Sequence, residues 1–255
     1  MWGLLNLIRC EFQKLKRKKF IQLTLAAAFL FPIPLTILMA KDKMAFDQLF
    51  RANMLMGDLL LLPGVLGVVA SMLFFMERDN DTLKNLLTIP VSKTKLLLAK
   101  LSVLLILSVL YSVAGLGATL IGGVIVGNVE GVLYRLLLSL LIGIFVLIAT
   151  LPVIVVIVAK NKSYIFSVII SFAYAIVGFA ITMMFGTNPE AVNSIASILP
   201  VPIIIKWYLG SIPLEETLSY VLPYTITTPI CFGIMGVYGT VFTMISSFFY
   251  KRTEY

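Results

Sequence analysis

Few residues of this chain could do chemistry, and most of them fall in one stretch, Glu77 to Lys95, ERDNDTLKNLLTIPVSKTK. It carries the acids Glu77, Asp79 and Asp81 and the bases Arg78, Lys84, Lys93 and Lys95 around a short apolar pattern. Asp79, Asn80 or Asp81 can cap a helix start, because a short polar side chain accepts from the orphan N–H groups of the first turn. Leu83, Leu86 and Leu87 then fall at i, i+3 and i+4, on one helix face. Pro90 ends that helix, since the residue before a proline is pushed out of the α region. Ser92 can cap the next helix, which turns apolar at Leu96. The stretch reads as a short amphipathic helix held between two membrane spans, with three leucines shown either to a docking partner or to the lipid surface.

Two other acidic positions stand out. Asp58 is the one acid well inside an apolar run, and an ionisable group there is a functional candidate by default. It also lies about a turn below the expected outer end of its span, where the helix dipole favours an acid. The expectation is therefore a helix-start role, with a functional intramembrane acid as the alternative. Glu215 and Glu216 resemble the paired glutamates of intramembrane CAAX-type proteases, but that chemistry also needs histidine and the chain has none. The missing imidazole removes His-based triads, His metal sites and proton shuttles. No Gly-x-x-x-x-Gly-Lys-Ser/Thr occurs, so the chain has no phosphate-cradling loop of its own. No catalytic or metal-ligating residue is assigned. Cys10 and Cys231 lie far apart in the expected layout and predict no disulfide.

These positions must be held by apolar elements. The chain is 60% hydrophobic and 13% charged, with a mean hydropathy of +1.04, far from the roughly one-quarter charged residues of soluble domains. Several uncharged runs reach the roughly 20 residues that a membrane helix needs. The net charge of +8 is explained by bases lying between apolar runs, which orient spans, and nucleic acid is not an expected partner. Met1 to Lys19 reads as an interfacial amphipathic helix with Leu4, Leu5, Ile8, Phe12 and Leu15 on its apolar face. Six spans are predicted: Phe20–Ala40, kinked by Pro32 and Pro34; Met54–Met76; Leu96 to about Val126; Leu136–Ala159; Ser163–Gly186; and about Val221 to Tyr250. Lys41–Asn53 and Asn128–Arg135 are predicted as loops. Small residues form stripes in the second span (Gly64, Gly67, Ser71), the third (Ala114, Ala118, Gly122) and the fifth (Ser167, Ser171, Ala175), which lets helix backbones approach closely. Within the long Thr187–Tyr220 connection, residues 191–205 are uncharged but too short to span, so they either re-enter the bilayer or lie on its surface. Lys206, Trp207 and Tyr208 read as an anchor at headgroup level. Of the 20 lysines and arginines, fifteen collect on one side with both termini and Glu77–Lys95. That side is predicted to be cytoplasmic.

The run FFMERDNDTLKNLLTIPVSKTKLLLAK resembles the cytoplasmic loop of ABC-2 type transporter permeases. That family's pattern is a span ending in glutamate, a Gly-Thr shortly after, a leucine-bearing short helix, then Pro-Val-Ser-Arg/Lys and the next span. Glu77, Thr82, Leu86, Leu87, Pro90, Val91, Ser92 and Lys93 match it. Asp81 stands where the family often has glycine, although Asp tolerates such a turn better than most residues. The layout also matches, and within the family it looks most like small permeases of bacitracin and lantibiotic resistance or immunity. The resemblance implies an all-α, polytopic six-span bundle acting as one permease domain over residues 1–255. In it, 1–19 form the interfacial helix, 20–250 the bundle and 251–255 a cytoplasmic tail. It implies a bacterial cell membrane location and a homodimer or a pairing with a related permease subunit. Cytoplasmic ABC ATPase subunits would carry the ATP, with no cofactor in this chain, and would receive Glu77, Thr82, Leu83, Leu86, Leu87 and Pro90 as a coupling helix. The competing reading is a membrane immunity protein that binds a toxin or shields its target without transport.

Overall fold

The computed structural model describes residues 3–41, 45–79, 92–126, 129–159, 163–212 and 216–252, and every element within them is helical. Helix α1 (Leu4–Lys16) starts from extended Gly3 and carries Lys14 and Lys16 in its last turn, where cations suit the dipole. The chain bends at Arg17 and Lys18 into α2 (Lys19–Leu30). Pro32 lacks an N–H to continue the ladder, so the helix breaks at Phe31 and resumes as α3 (Pro32–Lys41). Together they hold the first apolar span, Lys19–Leu38.

Helix α4 (Phe46–Asn53) runs through a π-helical segment, Met54–Leu61, into α5 (Leu62–Asp79). The Ser92 hydroxyl accepts from the Lys95 N–H at 3.4 Å and caps α6 (Lys93–Val126). Gly131, with φ of 62°, turns the chain into α7 (Val132–Ala159); only glycine adopts that conformation without strain. Ser163 caps α8 (Tyr164–Thr187) through the Phe166 N–H. Asn188 caps α9 (Pro189–Ile198), which has proline in its first turn, and α10 (Pro200–Ser211) follows. A 3₁₀ segment, Glu216–Tyr224, leads to α11 (Thr228–Arg252).

Six of these helical stretches are long and apolar enough to cross a membrane, so the chain is an all-α polytopic bundle. The interior is built from α5, α6 and α7. Helices α2 and α3 lie against α6, α8 against α5, and α11 against α7. The predicted small-residue stripes pack as expected. A Cβ on Gly67 would overlap Ser171, and one on Gly122 would overlap Thr36. A close helix-to-helix backbone approach is at Gly143 in α7. A Cβ there would stand 2.8 Å from Val109 Cα, and Ser108 Oγ donates to the Gly143 carbonyl at 2.6 Å.

Several expected boundaries move. Lys41–Asn53 is not simply a polar loop. From Phe46 it is helix, because Phe46, Leu49, Phe50 and Asn53 share a face and are all buried. The fourth span starts at Val132, which places Arg135 inside it. The last starts at Thr228, since 216–224 coil as 3₁₀ around Pro223. Helices α9 and α10 meet at 119°, and α10 is buried from Pro200 to Leu209. The 191–205 piece therefore folds back into the bundle and does not lie flat on its surface. Lys206, Trp207 and Tyr208 are not an exposed anchor. Each is at most 3% exposed. Lys206 Nζ donates to Asn193 Oδ1 and Ser197 Oγ, both at 2.7 Å, and Trp207 Nε1 to Thr228 Oγ1 at 3.2 Å.

Candidate functional site

Two polar constructions stand out against the apolar bundle. The first lies where the Glu77–Lys95 stretch joins it. Thr82, Leu83, Leu86, Leu87 and Pro90 lie outside the described residues, as does the Glu77 side chain; the Glu77 backbone belongs to the last turn of α5. What the structure gives is the frame around them. Helix α1 buries Leu7, Glu11 and Leu15 against the bundle, while Leu4 and Leu5 face outward. The inner face is thus a Leu–Glu–Leu stripe at four-residue spacing; of the expected apolar face, Leu15 is buried in it and Ile8 and Phe12 pack beside it, while Leu4 and Leu5 fall outside.

Glu11 meets Lys100, two turns into α6, at 3.1 Å, with the two side chains 3% and 0% exposed. Lys100 Nζ also donates to the Leu73 carbonyl of α5 at 2.7 Å. One buried cation therefore ties together α1 and the two helices that the Glu77–Lys95 stretch connects. Burial pushes the Glu11 carboxyl up, but Lys100 and Lys14 more than offset this and hold it below the ordinary carboxylate range. The C-terminal end of α11 joins the same face. Lys93 Nζ donates to the Lys251 carbonyl at 3.3 Å, and the Phe74 and Tyr250 rings meet edge-on at 5.7 Å. The sequence held a signal for this junction: Glu11 is the one acid in the basic N-terminal segment, and Lys100 is a base inside an apolar run.

The second construction is a pocket of about 130 Å³ between the first three spans. Thr24, Ala27, Ala28 and Phe31 line it from the first span. Asn53, Gly57, Asp58, Leu61, Leu62 and Val65 line it from the second, and Tyr111 and Gly115 from α6. Asp58 does not cap a helix start. The helix begins twelve residues earlier, at Phe46, and Asp58 sits within the π segment at 6% exposure. Ser112 Oγ donates to its Oδ2 at 3.2 Å. The π turn explains how Asn53 and Asp58 share one pocket. In α geometry, residues five apart point about 140° away from each other, whereas an i→i+5 turn stacks them. Thr24 Oγ1 donates to the Phe20 carbonyl at 2.9 Å and pairs with the Tyr111 hydroxyl. Whichever of the two hydroxyls donates, the Tyr111 oxygen keeps a lone pair for a further donor.

A third polar group lies at the opposite end of the bundle. Arg135 of α7 pairs with Asp47 of α4 and stacks on the Phe46 ring at 4.5 Å. This neutralises a base that the sequence had placed in a loop. Among the described residues, no group of acids and cysteines is arranged to hold a metal ion.

Comparison with known proteins adds two findings. A family model described as ABC-2 family transporter protein matches residues 7–178. A curated relative, the bacitracin transport permease protein BCRB of Bacillus licheniformis, is 32% identical over 150 residues, which cover 57% of this chain and 70% of the relative.

Proposed function

The chain belongs to the ABC-2 family of transporter proteins and is a membrane-spanning permease subunit, and from that premise we propose that it serves an exporter that moves or clears a peptide antibiotic from the membrane. ATP would be bound and hydrolysed on separate cytoplasmic ABC ATPase subunits, since the sequence has no phosphate-cradling loop. The chain would act as one permease domain, paired with a second copy or a related subunit, with both termini and the Glu77–Lys95 stretch in the cytoplasm of a bacterial cell.

The observation that carries this reading is the junction at Lys100. A coupling helix that receives an ATPase must pass its displacement to the spans. In this chain the two helices it connects are cross-tied by one buried cation to a third helix, α1. Displacement of the Leu83–Leu86–Leu87 face would move α5, α6 and α1 together. The peptide-antibiotic substrate is suggested by the relative from Bacillus licheniformis, a bacitracin transport permease protein.

Two measurements test the proposal. The chain purified alone should not hydrolyse ATP, and the complex isolated from its native membrane should. Hydrolysis by the single chain, free of contaminating ATPase, refutes the division of labour. Deleting the gene should sensitise its host to bacitracin or a lantibiotic, with resistance restored by the wild-type chain only when the ATPase is present. Resistance restored without any ATPase would favour the immunity-protein reading.

A further inference from the structure

The pocket at Asp58 brings a buried carboxylate together with an amide and a phenol, the Asn53 and Tyr111 side chains. Among the described residues Ser112 supplies the one hydrogen bond that Asp58 receives, and the Tyr111 oxygen, paired with Thr24, keeps a lone pair for a further donor. The Asn53 amide, in a residue 3% exposed, lines the same space. A carboxylate 94% withdrawn from solvent needs a cation or a full set of donors, and one hydroxyl is neither. The walls are apolar: Ala27, Leu61 and Val65. Depth adds a further restriction. Ser112 lies near the middle of α6, nineteen residues from Lys93 at one end and fourteen from Val126 at the other. This places the pocket near the middle of a hydrocarbon layer about 30 Å thick, well below the headgroups.

We propose that this pocket binds a primary ammonium group carried on a short aliphatic chain, the group at the end of a lysine side chain. The ammonium has three N–H donors, which match Asp58, the Asn53 amide oxygen and the Tyr111 oxygen, while its methylenes contact the alanine and leucine walls. A phospholipid amine belongs at the interface and not at this depth. Inorganic cations would leave the apolar walls uncovered. The inference does not depend on the export reading, because it concerns the purified chain without ATPase or nucleotide.

The test uses the full chain in phosphatidylcholine nanodiscs at pH 7.5, where the probe is the only added amine. n-Pentylammonium should bind saturably and raise Tm by at least about 2 °C at saturation. n-Pentyltrimethylammonium, which keeps the charge but has no N–H donor, and n-pentanol, which has no charge, should bind at least about tenfold more weakly. Asp58→Asn should weaken pentylammonium binding by at least about tenfold. Ala27→Leu fills the pocket while keeping the carboxylate, and it should have the same effect. If Asp58→Asn does not fold, Ala27→Leu decides the matter. The proposal is overturned if pentylammonium does not bind, if pentanol binds equally well, or if pentylammonium binds the pocket-filled variant as it binds the wild type.

Discussion

The buried ion pair of Glu11 with Lys100, beside the packed Leu7 and Leu15, joins the N-terminal helix to the bundle and yields the most specific predictions at the scale of residues. Removing one partner of a buried pair can cost up to about 3–5 kcal/mol, because the remaining charge loses a buried counter-ion. Glu11→Ala should therefore lower the melting temperature of the purified chain markedly. Glu11→Ala combined with Lys100→Met should recover most of the loss, since a well-packed apolar pair is close to neutral. A double variant as unstable as the single one would assign the cost to packing instead of charge. The pH dependence follows from the direction of the shift. The folded-state value of Glu11 lies below its unfolded value of about 4.5. Its contribution is therefore fully present above that pH and is lost as pH falls through the folded value. Melting curves of wild type and Glu11→Gln should converge in acid and separate towards neutral pH. Glu11 was legible as the lone acid on a basic helix at four-residue spacing from Leu7 and Leu15. What the sequence could not supply was its partner, 89 residues away. Asp58 was legible as an intramembrane acid, but its environment was not, because its apparent nearness to a helix start rested on a loop that turns out to be helical.

Helices and their contacts follow sequence periodicity where the pattern is apolar and fail where charged residues interrupt it. The third and fifth spans and the stripes of small residues were readable in advance, since Gly67 meets Ser171 and Gly122 meets Thr36. Helix α4 was hidden by Asp47, Gln48 and Arg51, although Phe46, Leu49 and Phe50 kept the helical period beneath them. The π segment, which packs against α6, α7 and α8, has no sequence signature. The burial of Lys206 was hidden for a similar reason: its two acceptors, Asn193 and Ser197, come from a helix folded back at 119°. At this scale the decisive contact is Gly143. A methyl group there meets Val109 Cα at 2.8 Å, which is backbone and cannot swing aside. Gly143→Val should force α6 and α7 apart and destabilise the chain by about 1–3 kcal/mol. Gly233→Ala, in open space on α11, should change little. Equal melting temperatures for Gly143→Val and wild type would mean that the two helices do not cross this closely.

The whole molecule has two faces and a greasy outer wall. On one face lie Glu11, Lys93, Lys100 and Lys251; on the other lie Asp47, Arg135 and Tyr134, whose hydroxyl donates to the Ser211 carbonyl at 2.6 Å. This grouping agrees with the lysine and arginine bias, which argues that the first face is the cytoplasmic one. In a Cys10→Ser background, which removes the exposed native thiol, a cysteine at Ser92 or Ser163 should react only with membrane-permeant reagents in whole cells. One at Glu190 should react with impermeant reagents; labelling of the Ser92 position from outside would invert the orientation. The central claim is that Leu83, Leu86 and Leu87 seat this permease on a separate ATPase. Fully burying a leucine contributes roughly 1.5–3 kcal/mol, and an unpaired carboxylate in its place adds a further penalty. The most direct measurement is ATPase co-purification with Leu86→Asp, read beside Lys84→Ala and normalised to the amount of chain in the membrane. The account predicts normal membrane levels for both variants, a loss of ATPase binding of more than about a hundredfold for Leu86→Asp, and wild-type binding for Lys84→Ala. Wild-type ATPase binding by Leu86→Asp would contradict it.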